Sequence, residues 1–74
     1  MEDKVLEIIN FIRLSKDLEP LISIDSTDDL RSQIGFTSFD LAELTVRIED
    51  SFGIDIFENG VVATVGEVYD KLKK

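Results

Sequence analysis

The chain contains no cysteine, no histidine and no tryptophan, and it has a single proline. Without cysteine there is no disulfide, no thiolate nucleophile and no sulfur-ligated zinc. Without histidine, Ser-His-Asp and Cys-His catalysis and the usual zinc or haem ligation are excluded as well. Carboxylates, hydroxyls, lysines, arginines and the lone Tyr69 remain for any chemistry. That is a thin set for a self-sufficient enzyme, so no catalytic residue and no metal ligand is assigned. Positive charge is scarce too: 8 Lys and Arg stand against 16 Asp and Glu, a net charge of −8. Such a surface repels phosphate backbones and anionic lipid headgroups, which makes nucleic acid and membranes poor partners. No apolar run approaches the ~18 residues of a membrane span, and no signal-peptide pattern is present, so a cytoplasmic location is expected.

What is present is enough for one small fold. The 74 residues, 43% of them hydrophobic, are read as a single domain over 1–74. A core of this size supplies about 3–5 kcal/mol of net stability. Charge is unevenly spread. Residues 25–60 hold nine carboxylates against Arg31 and Arg47, so a net −7 of the total −8 lies in the middle of the chain. A field placed there steers basic partners, besides keeping the surface soluble.

Hydrophobic spacing locates the elements. Val5, Ile8, Ile9 and Ile12 recur at i, i+3, i+4, i+7 and predict a helix over roughly 3–14, with Glu2 and Asp3 at its positive end. A connection of about twenty residues follows, long enough to need its own anchors, for which Leu18, Leu21, Ile22 and Ile24 are candidates. Leu41, Leu44, Ile48 and Phe52 predict a second helix over roughly 38–52, and Gly53 supplies its stop. Ile54 to Phe57 reads as an extended connector, and 58–63 as one short helical turn. Thr64 and Glu67 have the spacing of a capping box. Val65, Val68, Tyr69 and Leu72 then give the stripe of a last helix, with Lys71, Lys73 and Lys74 at its negative end. The expected fold is all-α, a small bundle of three main helices plus one short helix.

The run from Thr27 to Leu44, followed by Ile48-Glu49-Asp50-Ser51-Phe52-Gly53-Ile54-Asp55-Ile56 and by Thr64-Val65-Gly66-Glu67-Val68, resembles the acyl carrier protein family over nearly the whole chain. The resemblance implies an acyl-carrier-protein-like bundle. It also implies that Ser38 is the attachment point of 4′-phosphopantetheine, transferred from coenzyme A by a phosphopantetheinyl transferase. The arm's thiol then carries acyl groups as thioesters, for fatty-acid, polyketide or specialised-pathway enzymes, and replaces the sulfur this chain lacks. Thr37 stands where the family usually has Asp, Phe39 where it has Leu, and Phe57 where Pro is frequent. By position alone Ser38 reads first as an ordinary helix N-cap, since Ser and Thr are preferred there. An unmodified acidic interaction module is the alternative of another class. A peptidyl or aminoacyl carrier is less favoured, because Gly35-Phe36-Thr37-Ser38 lacks the double glycine common in those domains.

At about 100° per residue, Phe39, Glu43, Val46 and Asp50 fall opposite the apolar stripe of the second helix, flanked by Asp40 and Glu49. Apolar groups ringed by carboxylates suit a docking surface. The resemblance implies that this helix is read by basic patches on acyl-transferring or synthase enzymes. Arg47 is placed to pair with Glu43 at i, i+4. The chain is expected to act as a monomer. The pairs Asp28-Asp29 and Glu49-Asp50 lack any cleft to work in, because adjacent acids on a helix point apart.

Overall fold

The computed structural model describes residues 1–73 and holds three helices, α1 (Glu2–Ser15), α2 (Ser38–Phe52) and α3 (Val65–Leu72). Their inward faces follow the apolar spacing. Val5, Ile8, Ile9 and Ile12 from α1, Leu41, Leu44 and Ile48 from α2, and Val65, Val68 and Tyr69 from α3 are all buried in one cluster. Phe52 and Leu72 pack at its margin. Each fully buried Ile or Leu contributes roughly 1.5–3 kcal/mol of transfer free energy, so this cluster is the main force holding the helices together. Burial raises the pKa of Tyr69, helped by the charges of Glu2, Asp25 and Asp3, so its hydroxyl stays protonated at the edge of the core.

The ends of the helices are set by local chemistry. Thr64 caps α3 as a full capping box: its hydroxyl accepts from the Glu67 N–H at 3.2 Å while the Glu67 carboxylate accepts from the Thr64 N–H at 3.0 Å. Gly53 ends α2 in the left-handed region at φ 72, donating to the Glu49 carbonyl at 2.7 Å. Lys71 lies in the last turn of α3, and Lys73 is its C-cap. The expected contribution of Lys74 lies outside the described residues.

The connection from α1 to α2 departs from expectation. Of the anticipated anchors, Leu21 and Ile24 pack against the core and Leu18 is half-buried, but Ile22 is 98% exposed. The segment is instead pinned by Leu30, Ile34 and Phe36, all buried, which belong to a turn rather than to a regular helix. Asp29 starts that turn by accepting from the N–H groups of Arg31 and Ser32 at 2.8 and 2.9 Å. These hydrogen bonds hold its carboxyl below the usual range. Asp28 is likewise committed to local structure, accepting from the Asp25 N–H at 2.9 Å.

The fourth, short helix is not formed among the described residues. Where one helical turn was expected at 58–63, a hydrogen-bonded turn covers 56–59. The Asp55 carboxylate accepts from the Phe57 N–H at 2.9 Å, and Gly60 at φ 122 reverses the chain before another helical bond can form. The connector therefore extends only over Ile54 and Asp55, and Ile56 turns into the core.

No sheet is formed among the described residues, but one isolated antiparallel bridge joins Asp29 to Thr64. Around it the Leu30 N–H donates to the Ala63 carbonyl at 2.8 Å, that of Val65 to Asp28 at 3.0 Å, and that of Gly66 to Ser26 at 2.8 Å. The start of α3 is thus stitched to the long connection. Among the described residues no helix is long and apolar enough to cross a membrane.

Candidate functional site

The first turn of α2 is built from Thr37, Ser38, Phe39 and Asp40. Thr37 is the N-cap, with extended backbone, and its Oγ1 accepts from the Asp40 N–H at 3.2 Å. The Asp40 carboxylate completes the box, accepting from the Thr37 N–H at 2.9 Å and from the Thr37 hydroxyl at 3.0 Å. Capping is therefore the work of Thr37, and Ser38 is the first helical residue. Its side chain is exposed and has no capping task. The reading of Ser38 as an N-cap is excluded by this geometry, since the threonine before it occupies that position.

A helix N-terminus favours an anion through its free N–H groups and dipole. A bare carboxylate beside it would weaken that preference, and here Asp40 is not bare. Lys16, just past the end of α1, donates its Nζ to Asp40 in an ion pair that is largely shielded from solvent. Burial works to raise the Asp40 pKa, but the hydrogen bonds from Lys16 and from the Thr37 backbone and hydroxyl outweigh it and hold the carboxyl below its ordinary value.

This contact corrects one expectation from the sequence. Asp40 is 6% exposed and turned toward α1, so it does not belong to the outer face of α2. Helical phase puts it at the boundary between faces, and the lysine from α1 decides the side. The other outer positions are accessible. Phe39 is 80% and Val46 65% exposed, and Glu49 and Asp50 lie in solvent. Glu43 is half-buried, accepting from the Arg47 Nε at 2.8 Å as its i, i+4 spacing suggested.

Sequence periodicity within α2 could not show what α1 adds to this face. Phe11 and Leu14 lie more than half exposed, and with Ile8 they face Val46 across a groove of about 720 Å³ between the two helices. The Arg47 guanidinium sits 4.1 Å above the centre of the Phe11 ring, bridging the groove by a cation–π contact. Asp50 lines the same groove. The only hint in the sequence was two large apolar residues, Phe11 and Leu14, off the buried stripe of the first helix. Among the described residues no three potential metal ligands come together.

A family model described as phosphopantetheine attachment site matches residues 13–71. The comparisons with curated proteins and with solved structures returned no match.

Proposed function

The chain belongs to the phosphopantetheine attachment site family, and from that premise we propose that Ser38 is the residue to which 4′-phosphopantetheine is covalently attached. The observation that carries this reading is the separation of duties at the start of α2, where Thr37 caps the helix and leaves the Ser38 hydroxyl exposed beside the positive helix end. The residues present suit the group. A phosphodiester on Ser38 gains from the helix dipole, and the carboxylate of the same first turn, Asp40, is neutralised by Lys16. When attached, the group supplies the thiol on which cargo is carried, a sulfur this cysteine-free chain has no other means of providing.

The chain itself orients and presents. It acts as a carrier of acyl groups between enzymes of a fatty-acid, polyketide or specialised pathway, and the bond-making steps belong to those enzymes. Docking uses the outer face of α2, where Phe39 and Val46 offer apolar contact and Glu49 and Asp50 offer charge to a basic patch. Phe11 and Leu14 of α1 widen that face across the groove.

The test is direct. Incubation with coenzyme A, Mg²⁺ and a broad-specificity phosphopantetheinyl transferase should add the mass of one phosphopantetheine to the intact protein, and Ser38→Ala should add none. An unmodified wild-type mass under those conditions overturns the reading. Equal modification of Ser38→Ala places the arm elsewhere.

A further inference from the structure

Two cations reach from the C-terminal end of α1 to the backbone just before the serine. Arg13 donates Nε to the Glu19 carbonyl at 3.0 Å and Nη1 to the Ile34 carbonyl. Lys16 donates Nζ to the Gly35 carbonyl at 2.8 Å and pairs with Asp40. Consecutive carbonyls, 34 and 35, are thus held from the end of α1, four and three residues ahead of Ser38. The held stretch includes the one residue least able to hold itself. Gly35 sits at φ 90, a conformation that glycine reaches freely and leaves as freely. Arg13 also lies against it, for an added Cβ would come 3.7 Å from the Arg13 Nη1 and 3.5 Å from Leu18.

Asp40 closes the arrangement from the other side. One oxygen, Oδ2, accepts from Lys16, from the Thr37 N–H and from the Thr37 hydroxyl. The group that completes the capping box is therefore the group that Lys16 ties to α1. Releasing Lys16 leaves a buried carboxylate without its cation, a destabilised arrangement that is relieved when the group turns toward water. Turning Asp40 outward breaks the Thr37 cap and frees the first turn of α2.

We propose that Lys16 and Arg13 are positioning residues for Ser38: they lock the Ile34–Gly35 turn and, through Asp40, the first turn of α2, so that the serine hydroxyl meets the transferring enzyme in one orientation. The proposal rests on the reading of Ser38 as the attachment residue. Neither cation needs to touch the enzyme or the arm, because their effect passes through Gly35 and Asp40.

The experiment compares wild type with Lys16→Met, Lys16→Arg, Asp40→Asn and the Lys16→Met/Asp40→Asn double variant, which removes both charges and keeps the fold safe from a stranded carboxylate. Two readouts are taken: kcat and KM of phosphopantetheine transfer followed by intact mass, and amide hydrogen exchange. Lys16→Met should lower kcat about tenfold with KM nearly unchanged, since misorientation acts on the reacting geometry rather than on encounter. The amides of Thr37, Asp40 and Leu41, which are bonded within the cap, should exchange about tenfold faster in the same variant while those of the α1 core stay protected. Lys16→Arg should restore both readouts to within about twofold, a charged fork being able to reach the same acceptors. The double variant should load no more slowly than Lys16→Met, because the two residues form one link. Wild-type kcat and unchanged exchange in Lys16→Met overturn the proposal while leaving Ser38 in place. A change confined to KM also overturns it, by making Lys16 a docking residue. Failure of wild type to be loaded sinks the reading of Ser38 and the proposal together.

Discussion

The side chain of Asn10 holds both polar groups of Leu21: its amide donates to the Leu21 carbonyl at 2.9 Å and its oxygen accepts from the Leu21 N–H at 2.7 Å. A residue of α1 thus stands in for a neighbouring strand where the α1–α2 connection passes beside the helix at Leu21. Asn10→Ala leaves both groups of Leu21 without that partner. The expected cost is about 1–3 kcal/mol by urea denaturation, with faster amide exchange at Leu21 and its neighbours. An unchanged denaturation midpoint would show that water replaces the asparagine at no cost.

Gly66 lies in the first turn of α3 pressed on the backbone of Ser26. A Cβ built there comes 2.8 Å from the Ser26 carbonyl oxygen and 3.1 Å from its Cβ. Alanine is the better helix former by about 1 kcal/mol, yet Gly66→Ala should destabilise the protein, by roughly 1–3 kcal/mol, because backbone cannot step aside as a side chain can. A rise in the thermal midpoint of Gly66→Ala would refute that close approach.

Acid should loosen the start of α2. The Asp40 carboxyl is held below its ordinary value in the folded chain, and a group with a depressed folded pKa stabilises above its unfolded value and loses that contribution as pH falls through the folded one. The stability difference between wild type and Asp40→Asn should therefore be level above about pH 5 and shrink as pH falls below about 4. Urea titrations of both proteins between pH 3 and pH 7 measure it. A gap that stays constant down to pH 3 would mean that Asp40 carries no net ion pairing.

On the proposed docking face, charge and apolar contact should separate kinetically. Asp50→Lys reverses a solvated carboxylate at the groove and should slow association with a basic partner enzyme and flatten its salt dependence. Phe39→Ala removes the most exposed aromatic and should act mainly on dissociation, at about 1–2 kcal/mol of binding. Glu43→Lys is a poorer probe because it also releases Arg47 from Glu43. Surface plasmon resonance against a phosphopantetheinyl transferase at two salt concentrations distinguishes the two effects, and identical kinetics for all variants would remove this face from recognition.

The sequence made the helices and their buried stripes legible because both depend on neighbours three and four residues away. The place of Ser38 at the start of α2 was legible for the same reason, since it lies between Gly35 and the first periodic residue of that helix. Asp40 was not, since its direction is fixed by Lys16, 24 positions upstream. The Thr37 box was hidden too, because its acid is Asp where the usual pattern asks for Glu or Gln. Ile22 and Ile34 look alike in composition, yet one is exposed and the other buried. The turn begun by Asp29 decides between them, and it is held by hydrogen bonds to the Asp29 side chain and by backbone bonds from Gln33 and Ile34 to the Asp29 carbonyl, which hydrophobic spacing does not reveal.

The bridge between Asp29 and Thr64 has a consequence for how the molecule comes apart. With eight residues, α3 is shorter than the ~12–15 at which a lone helix becomes even marginal in water, and its first two N–H groups are bound to Asp28 and Ser26. It cannot assemble before that distant stretch is laid down. Tension applied at the C-terminal side of the chain would accordingly strip α3 and the Ser26–Leu30 stretch away as a single event, and the α1–α2 pair would be left to yield afterwards.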